Sequence, residues 1–202
     1  FVEPLLDKNI YNLLKKAKVI NQKVNLEMVT NGDVLNPSRL IKLFNSGLNR
    51  LFISVYDGPK DIKKFIKIRS KTQLNDKQVV IRDRSFSSKK DFGLTISNRA
   101  GMLENAEHTI MPLKKKMEHP CYYPSYTFFM DYNGDVLMCA HDWGKKRILG
   151  NLKKQSFLEI WTSQLAKISR KKLNNSDRGF SPCNVCDVHG TLIGGKHSKA
   201  WK

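Results

Sequence analysis

The sequence of 202 residues lacks several patterns by which common classes of protein are identified. No run of about eighteen apolar residues occurs, so no segment is predicted to span a membrane. A P-loop and a dinucleotide-binding glycine fingerprint are also missing, because Gly194-Gly195-Lys196 is too short for either. Internal repeats and low-complexity blocks are absent. The length allows one or two domains with a sizeable buried core.

Acidic residues are scarce, with 18 Asp and Glu against 36 Lys and Arg, which gives a net charge of +18. Such an excess suits nucleic acid, an anionic membrane surface or phosphorylated substrates. However, the lysines are scattered along the chain, and no basic stripe interleaved with aromatic residues is present. We therefore interpret the charge as solvated surface and expect neither a nucleic acid nor a membrane partner.

Cysteine is also rare, and the four thiols fall in one part of the chain. Cys121 stands alone, Cys139 follows a predicted Asn133-Gly134 turn, and Cys183 and Cys186 form a CxxC pair. A CxxC pair brings two thiolates to one metal centre from a tight loop, and a hairpin and a distant residue can supply two more. The spacing therefore predicts a metal or cluster site rather than unpaired structural cysteines.

The compartment follows from the same residues. The four cysteines have the spacing of metal ligands, and the sequence shows no secretory signal. Both features favour a reducing cytoplasm over disulfide formation. Phe1 rather than Met begins the sequence, at a point where a strand is already under way. We therefore expect this chain to be a piece of a longer cytoplasmic protein.

The segment from Cys121 to Asp187 resembles the auxiliary-cluster domain of radical S-adenosylmethionine enzymes, in its SPASM and shorter twitch forms. A full SPASM domain carries further cysteines and two clusters, but no cysteine follows Cys186. The resemblance therefore implies the twitch form, in which one 4Fe–4S cluster is bound by Cys121, Cys139, Cys183 and Cys186. The matching stretches are Cys121-Tyr122-Tyr123-Pro124, Phe129 to Cys139, Ile148-Leu149-Gly150-Asn151-Leu152, Glu159-Ile160-Trp161 and Pro182 to Asp187.

Two other readings of the thiols stay open at this point. His141, His189 and His197 lie near the cysteines in sequence and could each replace a ligand, although four thiols make them bystanders. Alternatively, the same thiolates and the basic charge could belong to a zinc-bound interaction module that contacts nucleic acid.

The first half of the chain alternates predicted strands and helices with short connections, which indicates right-handed parallel βα units. Either an open doubly wound sheet or a barrel fits this order. The family resemblance implies an α/β chain with a partial (β/α)6 TIM-like barrel, truncated at its N-terminal side, over residues 1–112. A small α+β twitch/SPASM domain with a β-hairpin and a helix would follow over residues 113–202. The predicted helices are 8–18 with Asp7 as its N-cap, 37–46 with Asn36 as its cap and Pro37 at its first position, and 61–70, and the predicted strands are 24–30, 51–55 and 78–81. In the second half, Ser156 and Glu159 form a predicted capping box that opens one helix carrying Ile160, Trp161, Leu165 and Ile168, and a polar loop is predicted over 173–181.

Polar residues that end the predicted barrel strands are the candidate binding residues for S-adenosylmethionine. Glu3-Pro4 resembles the end of the family's Gly-Gly-Glu-Pro motif, with Phe1-Val2 in place of the two glycines. The resemblance implies that Glu3 meets the cofactor's amino group. Thr30 and Asn31 end the next strand, and Ser54 and Asp57 match the region that reaches the ribose. Capping and turn chemistry would explain each of these residues equally well.

Arg82 and Arg99 are the candidate substrate-binding residues. Arg82 ends a predicted strand, and Arg99 lies in an Asn98-Arg99-Ala100-Gly101 segment that resembles one found before the auxiliary domain of several twitch and SPASM enzymes. A guanidinium presents a planar fork to a carboxylate, a phosphate or a hydroxylated substrate. A structural bridge to a carboxylate of the chain is the alternative.

The family's catalytic CxxxCxxC motif does not occur in these 202 residues. We therefore expect the displayed chain to be inactive and the motif to lie upstream in its parent. The resemblance implies that the parent is an oxidoreductase or a peptide-modifying enzyme that uses S-adenosylmethionine, with an electron donor such as flavodoxin or ferredoxin. Its substrate would be a peptide or a small molecule such as a sugar or cyclitol, since the family's one-cluster members include a cyclitol dehydrogenase.

Overall fold

A computed structural model describes residues 3–84, 97–104 and 111–201 of the chain. Residues 3–84 form one compact unit, and the other described residues form a second. No helix within these described ranges is long and apolar enough to cross a membrane. The first two residues, which align with the paired glycines of the cofactor motif, lie outside the described part.

The first unit is a parallel α/β layer, which confirms the predicted class. Its strands are neighbours in the order β1-β2-β3, and Met28, Leu51 and Val79 lie side by side across them. A hydrophobic core that includes Leu40, Leu43 and Ile53, all fully buried, packs against this sheet. The elements are a 3-10 turn (Pro4–Leu6), α1 (Ile10–Ile20), β1 (Glu27–Thr30), α2 (Pro37–Asn45), β2 (Arg50–Val55), α3 (Pro59–Ser70) and β3 (Val79–Asp83).

Local capping chemistry sets where the helices of this unit begin. The Asn36 side chain accepts a hydrogen bond from the Arg39 backbone N–H at 2.9 Å, and Pro37 occupies the first turn of α2, as predicted. The expected cap of α1 is displaced by two residues. Asp7 accepts from the Asn9 backbone N–H at 2.8 Å, and Asn9 is the residue that precedes the helix. Asp7 therefore makes a local turn before α1 instead of capping it.

The second unit is an α+β layer with more elements than the sequence predicted. The Asn133-Gly134 turn joins an antiparallel hairpin, as expected, and a third strand, β6, pairs with its second arm. Its elements are α4 (Tyr123–Tyr126), β4 (Phe129–Met130), β5 (Asp135–Leu137), β6 (Ile148–Asn151), α5 (Phe157–Trp161), α6 (Gln164–Asn174), α7 (Gly195–Ser198) and a 3-10 turn (Lys199–Trp201).

The predicted capping box at the start of α5 is present, because Ser156 and Glu159 exchange side-chain to backbone hydrogen bonds at 2.7 and 3.3 Å. The single helix predicted after it is wrong. The chain leaves the helical path at Thr162, and Ser163 caps a new helix by accepting from the Ala166 backbone N–H at 3.2 Å. The following helix, α6, then continues to Asn174, where a polar loop was predicted.

Residues 97–104 and 111–112 belong to the compact second unit, whereas the resemblance placed them in the first domain. Their hydrogen bonds explain this, since the Asn98 side chain donates to the backbone carbonyl of Val185 at 2.7 Å. The division into family domains at residue 112 stays a prediction.

The glycine that follows β1 provides a test of the packing of the first unit. Gly32 has φ +79°, and a Cβ there would lie 2.6 Å from the Phe65 ring. We expect Gly32→Ala to lower the free energy of unfolding by about 2–4 kcal/mol, from positive-φ strain and overpacking together. A loss of about 1 kcal/mol or less in a urea titration, which is no more than the positive-φ strain alone would cause, would contradict the predicted clash.

Candidate metal centre

All four cysteines line one cavity in the second unit, as the spacing predicted. The space between these side chains is small, with a cavity volume of about 20 Å³, and it is partly open to solvent. Cys186 is buried and the other three thiols are half-buried. The other side chains that line it are mostly apolar, and the exceptions include His141, Asp142 and Arg178. The arrangement is a mostly apolar pocket lined by four thiols.

Main-chain hydrogen bonds fix both Cys121 and the residue that follows it. Its backbone N–H donates to the Leu173 carbonyl at the end of α6 at 3.1 Å, and the Tyr122 N–H donates to the Gly190 carbonyl at 2.8 Å. A Cβ at Gly190 would overlap the Cys121 sulfur, and Gly190 has φ +76°. Glycine is therefore required there by both backbone conformation and the close approach of the thiol.

Cys139 follows the second arm of the hairpin, two residues after the end of β5. Its sulfur accepts from the His141 backbone N–H at 3.4 Å, and its carbonyl accepts from the Asp142 N–H at 3.1 Å. The tight turn that follows the strand thus aims the thiol at the cavity. A backbone N–H directed at a sulfur also stabilises the thiolate form.

Cys183 and Cys186 belong to one turn, closed by the Cys186 N–H donating to the Cys183 carbonyl at 3.4 Å. The Cys186 sulfur accepts from the Val188 N–H at 3.5 Å. This is the loop that the CxxC spacing predicted.

Asn98 supports this loop from a distant part of the chain and was not singled out by sequence reasoning. Its buried amide donates to the Val185 and Met111 carbonyls at 2.7 and 3.0 Å. Its own backbone N–H donates to Asp187 Oδ2 at 2.8 Å. The Asn-Arg-Ala-Gly motif marks this segment in the sequence, but it does not reveal the role of the asparagine, which depends on a contact 87 residues away.

Burial makes the metal-free thiols poor acids. It raises the pKa of Cys121, Cys139 and Cys186, and it raises the pKa of Cys183 to about 12. Since the thiolate is the form that binds metal, ionisation of these groups must be coupled to binding.

The nearby histidines fit the bystander role. Among the described residues that line the cavity, His141 is the single histidine. Burial and the charge of Arg99 lower the pKa of His141 to about 4, and its Nδ1 lies 3.1 Å from Ser97 Oγ. His189 instead stacks on His119 with ring centroids 4.0 Å apart, and His197 lies beside Tyr126.

The four thiols fit a group larger than one ion. No three His, Cys, Asp or Glu side chains within the described ranges are arranged to hold a single metal ion. Tetrahedral zinc would need its sulfurs about 3.8 Å from one another, which follows from the Zn–S distance. In a cubane each iron binds its own thiolate, so the four sulfurs stand farther apart around a common cavity.

In the first unit, three of the candidate cofactor residues meet at the carboxyl end of β1. The Glu3 carboxylate accepts from the Asn31 backbone N–H at 2.9 Å, from the Thr30 hydroxyl and from the Leu5 backbone N–H at 3.0 Å. Pro4 opens the 3-10 turn that Glu3 caps. Glu3 is thus both a structural cap and an acceptor at a strand end.

The other candidates of this unit lie on neighbouring strands. Ser54 is buried near the end of β2 and is the register partner of Arg82 on β3. The Arg82 guanidinium stacks on the Phe52 ring, 3.7 Å from its centroid. Asp57 follows β2 and is exposed.

Arg99 belongs to the second unit. Its guanidinium lies over the Trp143 ring, 4.7 Å from the centroid, and its backbone has φ 49°. A left-handed conformation at a non-glycine residue is strained and is found more often at functional positions. The roles of these six strand-end residues and two arginines stay predictions.

Comparison with known proteins agrees with this geometry. Residues 121–187 match the SPASM family, described as an iron–sulfur cluster-binding domain. The chain is 30% identical over 187 residues to the S-adenosyl-L-methionine-dependent 2-deoxy-scyllo-inosamine dehydrogenase of Niallia circulans. The aligned part covers 92% of this chain and 69% of that enzyme.

Two solved structures have a similar fold. The crystal structure of BtrN in complex with AdoMet and 2-DOIA superposes with a TM-score of 0.77 at 26% identity, over 97% of this chain and 73% of BtrN. BtrN in an open conformation superposes with a TM-score of 0.65 at 20% identity, over 98% and 72%, which supports the fold alone. The relative, the matched domain and the BtrN fold agree with one another, and the chain belongs to the radical S-adenosylmethionine enzymes that carry a SPASM iron–sulfur cluster-binding domain.

Proposed function

We propose that this chain binds one auxiliary 4Fe–4S cluster through Cys121, Cys139, Cys183 and Cys186. The observation that carries the proposal is that these four thiols line a single cavity although no three of them are placed to hold one ion. The same observation argues against the zinc-bound module. When bound, such a cluster can take up the electron that substrate oxidation releases, or it can hold the substrate.

The first unit would supply part of a (β/α)6 barrel that binds S-adenosylmethionine. Its strands follow one another in the sheet without a switch point, as barrel strands do. Glu3 would receive the amino group of the cofactor. A carboxylate has about four acceptor sites, and the contacts described for Glu3 occupy three of them. One site therefore remains for an ammonium group.

The reaction we propose is the oxidation of an alcohol on a small hydroxylated ring. The support is the Niallia circulans relative, a 2-deoxy-scyllo-inosamine dehydrogenase whose aligned part covers 92% of this chain. Arg82 and Arg99 would bind hydroxyl groups through their planar forks. An acidic one-electron carrier of the flavodoxin or ferredoxin kind would suit the charge of +18, since opposite charge steers association.

The first test of this proposal is the metal content of the chain. Anaerobic reconstitution with iron and sulfide is expected to load about four irons per chain and to give a brown protein. Cys121→Ala is expected to lose most of this iron, whereas Ser125→Ala, a buried neighbour in α4, retains it. Stoichiometric zinc without iron in the unsubstituted chain would contradict the proposal.

The second test concerns Glu3 and the cofactor. Glu3→Gln removes the negative charge that would bind the ammonium group, so we expect S-adenosylmethionine affinity in calorimetry to fall about 10–100-fold. Glu27→Gln is the matched control, because Glu27 lies at the exposed start of β1, at the opposite end from Thr30, and pairs with Arg50. Unchanged affinity in a Glu3→Gln protein that unfolds normally would remove Glu3 from the binding site.

The third test addresses the substrate. With S-adenosylmethionine present, the reconstituted chain is expected to bind 2-deoxy-scyllo-inosamine. Arg99→Lys keeps the charge but removes the fork, so we expect about a tenfold loss of affinity. Arg50→Lys, on an exposed part of β2, is the control. Binding of peptides in preference to the cyclitol would favour the peptide-modifying alternative.

A further inference from the structure

Arg178 is a buried positive charge at the edge of the four-cysteine cavity. Its side chain is 1% exposed, and it lines the cavity together with all four thiols. Neither the cysteine spacing nor the family resemblance identified it. It lies in the segment between the end of α6 and the CxxC loop.

The guanidinium has a hydrogen-bond acceptor for each of its five donors. It bonds main chain from two separate segments, one that leads into Cys121 and one that leaves Cys186. The bonds are Nε to the His119 carbonyl at 3.0 Å, Nη1 to the Val188 carbonyl at 2.8 Å and Met117 Sδ at 3.4 Å, and Nη2 to the Pro120 and His189 carbonyls at 3.0 and 2.6 Å.

These acceptors solvate the charge but do not neutralise it, because carbonyls and a thioether carry no net charge. Within the described residues no carboxylate forms an ion pair with Arg178; nearby Asp177 pairs with Lys172 instead. A buried cation without a counter-charge is costly. The acidic groups that share the cavity with Arg178 are Asp142 and the four thiols, and Asp142 accepts from the backbone N–H groups of Lys146 and Arg147.

We propose that Arg178 is the counter-charge of the cluster bound by the four cysteines and that its charge raises the reduction potential of that cluster. The inference rests on the proposed function, since it needs a cluster in the cavity. A four-thiolate cluster is negative and becomes more negative by one charge on one-electron reduction. A fixed cation beside it therefore stabilises the reduced form more than the oxidised form.

No other arginine or lysine is placed in the same way among the described residues. Arg147 does not line the cavity, and its guanidinium lies over the Phe180 ring, 4.6 Å from the centroid. Arg178 is the single arginine or lysine among the described residues that line the cavity with the four thiols.

Arg170 offers a matched comparison elsewhere in the same unit. It is also 1% exposed, and it donates to the Pro124 and Trp161 carbonyls at 2.8 and 2.6 Å. Its guanidinium lies over the Trp161 and Trp201 rings, 3.9 and 4.0 Å from their centroids. Unlike Arg178, it does not line the cavity.

The test is a redox titration of the reconstituted chain, followed by electron paramagnetic resonance, for Arg178→Gln, Arg178→Lys and Arg170→Gln. We expect the Arg178→Gln cluster to be at least about tenfold harder to reduce, which is a potential about 59 mV more negative. Arg178→Lys keeps the charge and is expected to stay near the unsubstituted potential. Arg170→Gln is expected to lower the unfolding midpoint but to leave the potential unchanged.

Each outcome decides the matter. If Arg178→Gln holds a cluster of unchanged potential, or if the glutamine and lysine variants both fail to load iron, then Arg178 is a structural clamp and the proposal is wrong. If the glutamine variant fails to load while the lysine variant loads with the unsubstituted potential, then the charge is what the site requires. Failure of the unsubstituted chain to bind iron would instead overturn the proposed function itself.

Discussion

The second unit depends on the meeting of four thiols that come from three stretches of chain far apart in sequence. Each stretch is positioned by main-chain hydrogen bonds, to Leu173 and Gly190 at Cys121 and within tight turns at the other thiols. Burial keeps the metal-free thiols protonated, so the proposed cluster would have to supply the free energy for their ionisation. Under that proposal, folding of this unit and binding of the cluster are one coupled process.

The candidate site was predictable where its signal is local in sequence. The CxxC spacing predicted one loop, and the Asn133-Gly134 turn predicted the hairpin that carries Cys139. Asn98 and Arg178 were not predictable, because each depends on partners from a distant segment, 87 residues away for Asn98 and 58–61 residues away for Arg178. A lone arginine in a polar segment is ordinarily interpreted as solvated surface, and only the tertiary structure shows that Arg178 is buried.

The fold shows the same division between local and distant information. The start of α2 and the capping box of α5 follow from side chains within three residues, and both were predicted. The break between α5 and α6 was missed because apolar residues continue at helical spacing through it, while Ser163 begins a new cap. β6 was missed because its four residues form a strand only by pairing with β5.

The hydrogen bonds of Arg178 also bear on how this site can change in evolution. Four of them end on carbonyl oxygens, which every amino acid provides. The side chains at positions 120, 188 and 189 can therefore vary without loss of the contacts that their carbonyls make, whereas position 178 cannot. The side chains that Arg178 does contact are Met117, through its sulfur, and His119, whose Nδ1 lies 3.3 Å from Nη2. A covariation signal, by which contacts are commonly found in alignments, is consequently expected for this arginine only at positions 117 and 119.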